Sequence, residues 1–214
     1  MTFAASTAPA TVPDPAVARI VRQAREHFFA HGYCSCTMDD LAAELGMSKK
    51  TLYVHFSGKE QIMRAVIEQL GGEIRADAEA LLANRHLGFS EKLRGFAEGM
   101  VQRIALLNPR TLRDLQRFAP ELYELTVEMR QKNIPYIFGR FIEEGQLNGK
   151  VRTDVSPVFA GEFFLQAMQG LIQPASLERL KLAPRDLLPR AIDLFFGGLL
   201  TPAGRKEHEK LFAR

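Results

Sequence analysis

The stretch Thr37 to Phe56, TMDDLAAELGMSKKTLYVHF, most constrains what this chain can fold into. Thr37 can cap a helix, with Asp40 three residues on as its capping-box partner. Leu41, Ala42 and Leu45 then supply an apolar face at helical spacing. Gly46 ends that helix, since only glycine enters the left-handed region without a Cβ penalty. Ser48 can cap a second helix whose Leu52 and Phe56 lie one turn apart and point inward. Lys49, Lys50, Thr51, Tyr53 and His55 are left for the outer faces. A short helix, a glycine turn and a second helix with polar, basic and aromatic groups make a helix-turn-helix, whose second helix enters the DNA major groove. The bland alternative is a helical hairpin with a solvated basic end.

Bulk properties do not decide between these. At 214 residues the chain is long enough for one large or two small domains. A composition 46% hydrophobic and 25% charged leads us to expect a folded, soluble protein. Net charge is only +3. Within residues 1–60, Arg19, Arg22, Arg25, Lys49, Lys50 and Lys59 are balanced by Asp14, Glu26, Asp39, Asp40, Glu44 and Glu60. Any basic face must therefore be local. No apolar run approaches the roughly 18 residues of a membrane span, and no secretory leader pattern is visible. A cytoplasmic location is the expectation.

The motif residues go further. Gly32-Tyr33, Thr37, Asp40-Leu41-Ala42, Leu45-Gly46-Met47-Ser48, Thr51-Leu52-Tyr53, His55-Phe56 and Lys59 resemble the N-terminal domain of the TetR family of transcriptional regulators. The resemblance covers roughly residues 15–62 and is most specific at TLYVHF-x-x-K. One departure is Lys50, where many members carry glycine. The resemblance implies an all-α fold. A three-helix, helix-turn-helix DNA-binding domain (15–62, motif 37–56) precedes a helical ligand-binding and dimerisation domain (63–214). It also implies a homodimer that acts on double-stranded operator DNA as a repressor, under control of a small-molecule effector. No cofactor or metal is implied. Lys49, Lys50, Thr51 and Val54 are placed to meet base edges, because they oppose Leu52 and Phe56. Tyr53, His55, Lys59 and the Thr37 cap are placed to meet phosphates, with Ser48 at the helix start.

Around the motif, residues 1–14 are small, Pro-containing and unpatterned, and read as a disordered arm. A helix is expected from about Pro15, a good first helical residue, to His31, closed by Gly32. Val17, Ile20, Val21, Ala24, Phe28 and Phe29 form its core face. Arg19, Arg22 and Arg25 lie mostly elsewhere, facing phosphate or water. His27, His31, Cys34 and Cys36 are all zinc-ligand types. They read better as ordinary side chains, and the Cys-x-Cys pair is too close for an easy disulfide. Redox sensing by these thiols is left open.

A long helix is expected from Lys59, with Ile62, Met63, Val66, Ile67 and Leu70 as its stripe. Gly71-Gly72 mark a helix end, a flexible point or a close helix crossing. Beyond residue 74 only helices are expected. They run over about 90–107, capped by Ser90; about 110–118; Pro120 to Leu147, kinked or broken at Pro135; from an Asp154 cap to about Ile172; and about 185–200, with Pro189 in the first turn. The last is apolar nearly all round, so burial on both sides is expected. Phe164, Met168, Ile192, Phe195 and Leu199 are the expected dimer seam, which in the family is a four-helix bundle. Phe96, Met100, Ile104, Phe118, Tyr123, Phe138, Phe163 and Gln166 are the candidate lining of a site for an apolar effector, though such residues also serve as plain core. The competing class is a helical small-molecule-binding protein or enzyme without DNA binding. No HExxH, GxSxG or P-loop pattern supports it.

Overall fold

A computed structural model of the chain describes residues 14–104 and 106–212. The arm expected over 1–14 lies outside the described residues, Asp14 excepted. Eleven helices and no strand occur among the described residues.

The first helix, α1 (Pro15–His31), starts where the sequence signals converge. The Asp14 carboxylate accepts from the Ala16 N–H at 2.9 Å, and Pro15 occupies a position whose missing N–H costs nothing. Ile20, Val21, Ala24, Phe28 and Phe29 are buried, and Gly32 closes the helix at φ 89°. Next, α2 (Met38–Glu44) opens on the full capping box. Thr37 Oγ1 accepts from the Asp40 N–H, and the Asp40 carboxylate accepts from the Thr37 N–H. Gly46 takes the left-handed turn at φ 63°. Ser48 caps α3 (Lys49–His55), whose Leu52 is fully buried.

The following helix, α4 (Lys59–Ala83), passes through Gly71-Gly72 without a break. Of the readings left open for that pair, a close crossing fits. A Cβ on Gly71 would lie 3.0 Å from Met129 Sδ, and the Asn133 amide donates to the Gly71 carbonyl at 2.9 Å. Both partners sit on α7 (Pro120–Leu147), which stays one helix despite Pro135. Between them come α5 (Phe89–Ile104) and α6 (Pro109–Phe118), then α8 (Pro157–Leu171), α9 (Pro174–Leu180), α10 (Pro184–Leu199) and α11 (Pro202–Phe212). A Cβ on Gly161 would meet the Pro135 carbonyl at 2.9 Å, so α8 lies directly on the α7 backbone at its proline.

Several expectations about caps and lengths are corrected. Ser90 is the second residue of α5 rather than its cap; Glu91 instead accepts from the Gly88 N–H at 2.8 Å. Asp154 does not cap α8. It pairs with Arg152, and Ser156 accepts from the Phe159 N–H at 3.1 Å. Pro189 lies in the second turn of α10, because Pro184 takes the first helical position. Two short helices, α9 and α11, were not expected.

The apolar interior has two parts. One joins α1–α4 to Leu115, Ala119, Leu122 and Leu125 of the α6–α7 region. The other is built on aromatic rings: Phe138 stacks on Phe164 with centroids 3.9 Å apart, and Phe96 meets Phe141 at 5.3 Å.

Candidate DNA-reading head and effector cavity

On α3, burial of Leu52 and Phe56 turns the opposite face outward, so Lys49, Lys50, Thr51, Tyr53 and Val54 are exposed. They differ in freedom. Lys49 Nζ pairs with Asp39 at 2.9 Å, and Thr51 shares a 2.8 Å hydrogen bond with Ser48. Lys50 has no ion-pair partner among the described residues and projects into solvent. Tyr53 is 46% and Val54 76% exposed, whereas His55 is half-buried with its Nδ1 3.7 Å from Asp14. Lys59, expected to meet a phosphate, is partly buried and already engaged within the head. Its ammonium donates to the carbonyls of Tyr33 (3.3 Å) and Cys36 (3.2 Å) and lies 4.5 Å from the Tyr33 ring centroid. It fastens the turn between α1 and α2. Thr37 is likewise committed to its capping box, its hydroxyl donating to Asp40 at 2.7 Å. Arg25 pairs with Glu73 of α4 at 2.7 Å.

The His and Cys residues near this turn hold structure. His27 pairs with Glu44 and sits 4.7 Å from the His31 ring. The Cys34 N–H donates to Asp114 at 2.9 Å, and the Cys36 thiol donates to the Gly32 carbonyl at 3.0 Å. Among the described residues no group of three or more His, Cys, Asp or Glu is placed to hold a metal ion. Burial pushes the Cys36 thiol from 9.0 up to about 11, and burial, with Glu60 nearby, pushes the Tyr33 phenol from 10.0 up to about 12. Both groups hold their protons more tightly when folded. Their contribution is complete below pH 9 and lost as the unfolded groups ionise first. The melting temperature is therefore expected to fall between about pH 9 and 12, and less steeply in Cys36→Ala than in the unchanged protein. Equal slopes in the two proteins would count against this origin.

Beside the head lies a cavity of about 200 Å³. Phe29 of α1 and Met63, Val66 and Ile67 of α4 form one wall. Side chains from α5, α6, α7, α8 and α10 form most of the rest, including Phe96, Met100, Ile104, Phe138, Phe164 and Leu188. Among the described residues the polar side chains in the lining are Thr111, Thr126, Arg130 and Asn133.

Of the candidate lining residues, Phe96, Met100, Ile104 and Phe138 meet here. Phe118 and Phe163 do not; they are 59% and 58% exposed. Tyr123 packs on the head core and donates to Gln173 at 3.0 Å, and Gln166 donates to Glu162 at the surface. Of the expected seam, Phe164 and Met168 line the cavity, and Ile192 and Leu199 are buried in their own chain. Phe195 is half-buried, 4.8 Å from the Phe164 ring. The apolar side chains that α8 and α10 present outward are Val158, Phe159, Phe163 and Leu194. Sequence reasoning missed Thr126, Arg130 and Asn133. Their 4- and 3-residue spacing within an amphipathic helix was the available signal.

Three comparisons bear on these features. Residues 20–66 match the family model for bacterial regulatory proteins of the tetR family. The uncharacterized HTH-type transcriptional regulator YvaF of Bacillus subtilis (strain 168) is 27% identical over 165 residues, covering 77% of this chain and 86% of that protein. The HTH-type transcriptional repressor DhaR of Mycobacterium sp. (strain GP1) is 22% identical over 192 residues, covering 87% and 93%. Among solved structures, the regulatory protein TetR from Rhodobacter sphaeroides superposes with a TM-score of 0.64 at 20% identity, covering 88% of this chain and 100% of that one. Motif, cap geometry and fold agree with that match: residues 20–66 form a helix-turn-helix head of the tetR-family type.

Proposed function

We propose that the protein is a homodimeric, non-catalytic repressor that binds a palindromic operator and releases it when a small apolar effector fills the cavity. The observation that carries this reading is the shared wall: Phe29, Met63, Val66 and Ile67 belong to the core of the head and also face the cavity. A molecule entering there presses on the helices that carry α3. The lining contains no carboxylate, histidine or cysteine among the described residues, so it offers a binding surface rather than a general base or nucleophile.

Two connections carry the displacement. One is α4, continuous from the head to the α7 crossing at Gly71. The other is α6. Thr111 Oγ1 donates to the Phe28 carbonyl at 2.8 Å, the Asn108 N–H donates to the Phe29 carbonyl at 2.9 Å, and Asp114 accepts from Cys34. A dimer reads half-sites about 34–36 Å apart on a stiff duplex, so a small tilt of each head spoils the match. The effector must favour the mismatched state, since equal affinity for both shifts nothing. A coupling of about 1–3 kcal/mol would lower operator affinity roughly 5- to 150-fold.

The test is fluorescence anisotropy with the DNA beside the protein's own gene, against random duplex, over a salt series. Specific, salt-dependent binding is expected. Lys50→Ala should cost about 1–3 kcal/mol at the specific site and relax one base preference. Lys49→Ala should cost less, because Lys49 must first leave Asp39. No preference over random duplex would sink the reading.

A further inference from the structure

Arg130 stands on the cavity wall, and no ion pair to it occurs among the described residues. Its neighbours are neutral: one Nη donates to the Thr126 hydroxyl at 3.2 Å, and the Tyr123 phenol lies close by. Its Nε is buried and has no hydrogen-bond partner, and no carboxylate lies within ion-pair distance among the described residues. Arg103 also has an unpartnered Nε, but it is paired with Asp77 and lies 3.7 Å from Glu73. Arginine stays charged in proteins, and a half-buried cation whose Nε is buried and idle gains when an anion completes it. Burial depresses the Arg130 pKa, as expected for a cation held away from water and acids.

From this geometry we infer that the effector is a small amphipathic monoanion: an apolar body in the aromatic and aliphatic part of the cavity, and one carboxylate on the Arg130 guanidinium. The inference rests on the reading of this cavity as the effector site. Guanidinium and carboxylate pair through N–H···O bonds, and Nε is the idle donor that a carboxylate oxygen can take, beside the Nη that holds Thr126. Among the described residues no second cation lines the cavity, so one negative charge is matched and a dianionic phosphate is not. A volume near 200 Å³ suits a compact apolar body rather than a long-chain lipid. The cation also sits three residues from Asn133, whose amide holds the Gly71 carbonyl of α4. A charge arriving at Arg130 therefore acts beside the α4–α7 crossing.

The probes are octanoate and 1-octanol, matched in body and different in head, titrated into the full-length protein by calorimetry without DNA. Octanoate is expected to bind one per chain and about tenfold or more tighter than octanol. Arg130→Gln should abolish that preference while changing octanol affinity less than about threefold, and Arg130→Lys should retain part of it. Equal affinities of the unchanged protein for acid and alcohol would overturn the inference, as would failure of octanoate to bind at millimolar concentration. Persistence of the preference in Arg130→Gln would overturn it too. Retained octanol binding reports that the Gln variant is folded. Acid-selective binding that leaves operator affinity unchanged would refute effector release and leave the ligand class standing. Release by some other molecule, with no acid selectivity, would do the reverse.

Discussion

Phe163→Asp combined with Leu194→Asp is expected to give a folded monomer that binds the operator about 10²- to 10⁴-fold more weakly than the unchanged protein. Both residues are exposed within one chain, at 58% and 80%, so the substitutions remove little intrachain packing. Val158 and Phe159 extend the same apolar face, and the Phe163 ring lies 6.4 Å from Phe195, which sets α8 beside α10. A two-fold interface uses its patch twice, so each aspartate would appear in duplicate, buried and unpaired. The loss on DNA follows from avidity, since each monomer then holds a single half-site. Phe195→Asp is the less informative choice, because Phe195 packs on Phe164 and Phe196 within the chain. Sedimentation at micromolar concentration, with circular dichroism to check helicity, reads the result. A double variant that still sediments as a dimer would place the seam elsewhere.

The largest stability effect is expected at Lys92 and Glu144. Lys92 is 5% exposed, and its ammonium donates to Glu144 at 2.6 Å and to the Leu82 carbonyl at 2.9 Å. Removing one partner strands the other charge. Glu144→Leu should therefore cost about 3–5 kcal/mol in urea unfolding, a large share of the 5–15 kcal/mol typical of a domain. The pair Lys92→Met with Glu144→Leu should recover most of that, because buried ion pairs often do no better than apolar residues of similar volume. Additive losses in the double variant would mean that the ammonium serves chiefly the Leu82 carbonyl, the cap at the end of α4.

Local signals were the legible ones. The Thr37–Asp40 box, the Ser48 cap, the prolines opening α1 and α7, and the positive-φ Gly32 and Gly46 are each decided within a few residues. Where two local solutions competed, sequence had no means of choosing. Asp154 and Ser156 are both good caps, and the outcome was set by Arg152 taking the aspartate. Nothing local to Lys59 told that two carbonyls and the Tyr33 ring would engage its ammonium within the head. The hardest distinction was Phe163 against Phe164. Adjacent residues on a helix differ by about 100° of rotation, so a small roll of α8 exchanges cavity for surface. That roll is fixed where Gly161 meets the Pro135 carbonyl, 26 positions away in the chain. Arg130 was hidden for a related reason: a cation on an amphipathic helix looks solvated until its neighbours are known.

The interior that joins α1–α4 to Leu115, Ala119, Leu122 and Leu125 bears on how such proteins can be recombined. A cut after residue 62 severs a covalent link and also strips apolar cover from Phe28 and its neighbours. The α1 carbonyls at Phe28 and Phe29 lose the donors supplied by Thr111 and Asn108. A cassette of residues 15–62 grafted onto a foreign effector module would carry that exposed seam with it and aggregate or melt early. A working graft has to take α6 and the first turns of α7 along. In this chain the exchangeable part is discontinuous in sequence, and a new operator preference is more safely installed by rewriting the outer face of α3 alone.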